Sequence, residues 1–72
     1  MPEHPDHTYR ITEVVGTSRE SIQHAVRNGV ARASETVRLL EWFEVTGLRG
    51  SIIDGDVGHF QVTMKLGFRL DG

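Results

Sequence analysis

The sequence predicts an α+β domain: one long helix wrapped by a three-stranded antiparallel sheet, in the order strand, helix, strand, strand. Three patterns carry this prediction. Residues 9–15 are rich in β-branched side chains and roughly alternate in polarity. Ile22, Ala25, Val26, Gly29, Val30, Ala33, Val37 and Leu40 recur three and four apart, as on one face of a helix. Finally, Phe60, Val62, Met64, Leu66, Phe68 and Leu70 alternate without interruption with His59, Gln61, Thr63, Lys65, Gly67 and Arg69.

The first strand is expected to stop at Gly16. Thr17 or Ser18 then caps the helix, with Glu20 placed three residues after Thr17 to complete a capping box. The apolar stripe runs on to Leu40 and predicts about six helical turns. Gly29 lies on that stripe at a cost of about 1 kcal/mol relative to alanine, which implies close approach of another backbone. Arg19, His24, Arg27, Arg32, Glu35 and Arg38 dress the opposite, solvated face. Trp42-Phe43-Glu44-Val45-Thr46 opens the second strand, which continues to Ile53. Asp54-Gly55-Asp56 is a hairpin turn, because Asp-Gly between two strand-like runs supplies the positive φ a tight turn needs. The final strand is longer than the usual five or six residues or so, and its ladder needs a partner that another subunit would supply.

At 72 residues the chain holds one domain, expected over residues 8–72 behind a loose tail at residues 1–7. So short a chain buries a modest share of its surface, and without cysteine it lacks disulfides, so association with further copies is the expected stabiliser. Eight basic against ten acidic side chains leave a charge of -2, which argues against a nucleic-acid partner. The absence of a long apolar run argues against a membrane span, and a soluble cytoplasmic protein is expected.

Few constellations carry catalysis. No glycine-rich phosphate loop or metalloprotease motif is present. His4 and His7 have a spacing that binds metals but stand in the tail. His24 and His59 read as surface groups, and Ser18, Ser21 and Ser34 have no base at hand. The most informative residue is Trp42, the single tryptophan. If Phe43 and Val45 join the core, the indole turns to the other sheet face, on which Gln61 and Lys65 lie. There it either fills a subunit interface or offers a flat stacking surface to an aromatic ligand. Gln61 has a donor and an acceptor for the edge of such a ring, and is otherwise an ordinary polar strand residue. Arg10, Arg49 and Arg69 are candidates for a phosphate, although strict alternation puts Arg49 opposite Trp42 unless Gly47 or Gly50 marks a bulge.

Glu13-Val14-Val15-Gly16-Thr17-Ser18, Trp42-Phe43-Glu44-Val45, Arg49-Gly50, Phe60-Gln61-Val62 and Gly67-Phe68-Arg69-Leu70 together resemble the dodecin pattern over residues 8–70. The resemblance implies a hollow homododecamer of cubic symmetry with outward helices and inward sheets. It also implies flavins stacked in pairs between tryptophans of neighbouring subunits, with a glutamine on the isoalloxazine edge; Trp42 and Gln61 match those positions. The role implied by this resemblance is non-catalytic flavin storage and photoprotection, with FMN the expected ligand and riboflavin or FAD as alternatives. Coenzyme A is an additional ligand in bacterial members. Arg10, Arg49 and Arg69 resemble the basic positions near phosphate-bearing ligands. The competing readings are a partner-binding oligomer or coenzyme A carrier with incidental flavin binding, and a flavoenzyme.

Overall fold

A computed structural model describes residues 6–70. Strand β1 spans Tyr9–Ser18, helix α1 Ile22–Ala33, strand β2 Leu40–Ile53 and strand β3 Asp56–Arg69. All three strands form one sheet in the order β1-β3-β2, with both pairings antiparallel. The long C-terminal strand is therefore the centre of the sheet and finds both its partners within its own chain. The expectation that another subunit completes its ladder is corrected.

Alternation in β3 sets the two faces. Val62, Met64 and Leu66 point to one side and, with Ala25 of α1, are fully buried or nearly so. Val14, Val26, Val30, Ala33 and Leu40 close around them. The helix meets the sheet at a glycine crossing. A Cβ on Gly16 would overlap the carbonyl oxygen of Ala25, and one on Gly29 would stand 2.7 Å from Met64 Cε and 3.3 Å from Gly16 Cα. The close approach expected at Gly29 is present, and its counterpart is Gly16. For that reason β1 does not end at Gly16 but passes beneath the helix to Ser18.

Ser21, rather than Thr17 or Ser18, caps α1: its hydroxyl accepts from the His24 amide at 2.9 Å. Nor does the helix reach Leu40. Beyond Ala33 the amides of Glu35 and Thr36 bond three residues back, the Ser34 hydroxyl donates to the Ala31 carbonyl at 2.8 Å, and Leu39 takes a φ of 65°. These tightened turns and one left-handed residue redirect the chain into β2. Val37 and Leu40 continued the apolar spacing while belonging to the connection and to the sheet. The hairpin between β2 and β3 forms at Asp54 and Gly55, whose φ values of 54° and 80° fit the type I′ geometry that Asp-Gly favours.

Helix α1 packs on β1 and β3 and leaves β2 bare. Phe43 and Val45 face the helix side, opposite Leu66 and Met64, as expected, yet they are 53% and 47% exposed. Their expected place in the core is corrected: the helix lies over β1 and β3, to one side of β2. The expected tail lies largely outside the described residues. Of its described part, His7 packs edge-on against Tyr9 with ring centroids 6.4 Å apart.

Candidate functional site

The face of the sheet turned away from α1 is a grid of side chains in register. Across β1, β3 and β2, Tyr9 stands beside Arg69, Ile11 beside Gly67 and Trp42, Glu13 beside Lys65 and Glu44, Val15 beside Thr63 and Gly47, and Thr17 beside Gln61 and Arg49. Trp42, Gln61, Arg49 and Arg69 thus share one face. Arg10 does not; it is paired with Phe68 on the helix side.

Two irregularities of β2 build this arrangement. One falls between Leu40 and Trp42, so that Glu41 and Trp42 together oppose a single stretch of β3. The other falls between Val45 and Gly47 and reverses the parity of the strand, which carries Arg49 onto the face of Trp42. The bulge that the alternation rule demanded for Arg49 is present, at Thr46.

Trp42 is 38% exposed, and its indole lies over Gly67 so closely that any Cβ at position 67 would overlap the ring. Tyr9 stands edge-on to it, with centroids 6.2 Å apart and planes at 62°. The Tyr9 hydroxyl donates to Glu41 Oε1 at 2.9 Å, Glu41 Oε2 lies 3.5 Å from Arg69 Nη1, and the same guanidinium nitrogen lies 3.4 Å from His7 Nε2. Tyr9, Glu41 and Gly67 were not singled out by sequence reasoning. The available signal was a glycine in the centre of an otherwise regular strand, which marks close approach by something bulky.

The hydrogen bond to the Glu41 carboxylate raises the Tyr9 pKa above its ordinary 10.0, because it stabilises the neutral phenol. The folded chain therefore holds this proton more tightly than the unfolded chain. Its contribution to stability is complete below pH 10.0 and is lost as pH rises through the folded pKa. Since Tyr9 is the single tyrosine, ultraviolet titration of phenolate should give one midpoint above 10.0 that falls back toward it in Glu41→Gln.

At the far end, Gln61 and Arg49 are direct neighbours across the β2–β3 pairing. Gly67 and Gln61 stand six positions apart on β3, about 20 Å of extended strand. The indole of Trp42 and the Gln61–Arg49 pair thus occupy opposite ends of the same face.

The two described candidate histidines on α1 and β3 are engaged locally rather than free on the surface. The Ser18 hydroxyl accepts from the Glu20 amide at 2.9 Å and is hydrogen-bonded to His24 Nδ1 at 2.9 Å. The Ser51 hydroxyl likewise accepts from the His59 amide at 3.1 Å and is hydrogen-bonded to His59 Nδ1 at 2.9 Å. Both pairs clasp turns. Among the described residues no cluster of three or more His, Asp or Glu side chains has a metal-binding arrangement, and His4 lies outside them. No helix among them is long and apolar enough to cross a membrane.

Comparison with known proteins places this architecture. The Dodecin family model matches residues 8–71. Dodecin of Thermus thermophilus is 44% identical over 63 residues, covering 88% of this chain and 91% of that protein. The structure of dodecin from Streptomyces coelicolor superposes with a TM-score of 0.89 at 61% identity, over 96% of this chain and 99% of that one. Dodecin from Streptomyces davaonensis does so with 0.88 at 57%, over 93% and 98%. With the strand order, the long central β3 and the match over nearly the whole chain in agreement, this protein belongs to the dodecin family.

Proposed function

We propose that the protein binds FMN without turning it over, storing the flavin and shielding it from photochemistry inside a homododecamer in the cytoplasm. The observation that carries this reading is the lone indole. It stands on the sheet face away from its own core, part exposed, over a residue with no side chain, so one flat ring can lie against it. Stacking of aromatic rings contributes about 0.5–1.5 kcal/mol per pair beyond area burial, and a flavin pair between two tryptophans has several such contacts. Gln61 supplies donor and acceptor for the ring edge, and Arg49 beside it and Arg69 near Trp42 are cations for a phosphate. This favours FMN over riboflavin; FAD and coenzyme A share the phosphate chemistry and are the alternative ligands. Arg10, on the other face, would serve a phosphate only from a neighbouring copy.

Self-association is supported by the bare helix side of β2. Phe43, Val45 and Leu48 expose a contiguous apolar strip that a monomer of this size would not leave open. Binding without turnover is favoured over a flavoenzyme because the acid and base nearest Trp42, Tyr9 and Glu41, are hydrogen-bonded to each other. The test is a fluorescence titration of FMN with the purified protein, coupled to native mass spectrometry. Saturable loss of flavin emission at micromolar protein, with a twelve-chain assembly retaining flavin, is expected. Unchanged emission at that concentration would remove flavin binding from the account and leave the oligomer alone.

A further inference from the structure

The indole of Trp42 projects from an irregular stretch of an edge strand, with more than a third of its surface exposed. Left to itself, such a side chain samples several rotamers, and a ligand that needs one of them must order it on binding. The surroundings prevent this from two directions. Gly67 supplies a floor, and Tyr9 abuts the ring edge-on from β1.

Tyr9 is itself 38% exposed. What fixes it is the hydroxyl, tied at 2.9 Å to the carboxylate of Glu41, the residue immediately before Trp42. The second oxygen of that carboxylate faces Arg69 of β3. The phenol, the carboxylate and the guanidinium therefore link all three strands around the base of the indole. Such a set holds a side chain in one orientation more firmly than any of its members alone.

We propose that Tyr9, anchored by Glu41, is a positioning residue that pre-orients the Trp42 indole for a stacked ring. The consequence for the ligand rests on the flavin reading above; the orientation of the indole does not. Tyr9 need not touch the ligand, and its effect is to remove the ordering that binding would otherwise require.

One tryptophan and one tyrosine in the chain make the test selective. Fluorescence anisotropy decay and the near-ultraviolet circular dichroism of Trp42 are measured in the ligand-free assembly, followed by FMN titration. Tyr9→Ala should add a fast depolarising component, diminish the indole dichroism and weaken FMN about fivefold. Tyr9→Phe, which keeps the ring but not its tether, should fall between, and Glu41→Gln, whose amide oxygen still accepts from the phenol, should stay close to wild type. If Tyr9→Ala does not assemble, Tyr9→Phe and Glu41→Ala carry the comparison. Wild-type anisotropy in the assembled variants would overturn the proposal. If the wild-type chain does not bind FMN, the flavin reading fails, while the anisotropy series still decides the role of Tyr9.

Discussion

Replacing Gly16 with alanine is expected to lower stability by about 3 kcal/mol, at the upper end of the cost of overpacking a core. The added carbon would overlap the Ala25 carbonyl, a backbone atom of the helix that no rotamer change can move. The helix would have to lift from β1, and with it the cover over Met64 and Leu66 would open. For a chain this short that is a large share of the whole. At about 4–8 °C per kcal/mol, the thermal midpoint should fall by roughly 12–24 °C at matched protein concentration. Two other glycines calibrate the result. Alanine at Gly29 meets Met64 Cε at 2.7 Å, the end of a flexible side chain, and should cost less. Alanine at Gly47 finds its nearest neighbour at an ordinary 3.6 Å and should leave the midpoint almost unchanged. A Gly16→Ala protein that melts with Gly47→Ala would mean that helix and strand are not held at this crossing.

The crossing also shows where sequence reading succeeds. Gly29 was legible because a glycine inside a helical stripe pays a propensity cost that only tertiary contact can offset. Gly16 was misread because glycine both ends strands and admits close neighbours, and only the position of the helix separates the two. The faultless alternation of β3 was legible because its two faces meet different surroundings along the entire strand. The end of α1 was not. Val37 and Leu40 keep the helical spacing, and what stops the helix is a left-handed Leu39 with no glycine or proline to announce it. On β2, two interruptions of the pairing, at Glu41 and at Thr46, decide which side chains share a face, and no period in the sequence contains them. Trp42 and Gln61 stood out by their chemistry. Tyr9 and Glu41, in contrast, come together beside Trp42 only through contacts between strands distant in sequence.

The distance between Trp42 and Gln61 within one chain leads to the second large effect. If a ring covers the indole above Gly67, about 20 Å of strand separates it from the carboxamide of the same chain, so under the proposed function stacking and edge recognition are expected from different copies. Trp42→Ala should remove the stacking surface and Gln61→Ala the edge contact, and homogeneous assemblies of either should bind FMN at least tenfold more weakly than wild type. Mixed assemblies are expected to behave differently. If the two variants are unfolded, combined in equal amounts and allowed to reassemble, each half-site draws its tryptophan and its glutamine independently. About one quarter of half-sites should then be intact, and high-affinity binding should return to that extent. A site contained in a single chain gives the opposite result, because no chain in the mixture carries both residues and no tight binding can reappear. The mixture thus separates a ligand held between copies from one held by each copy alone, even though every intact residue in it is present in both cases.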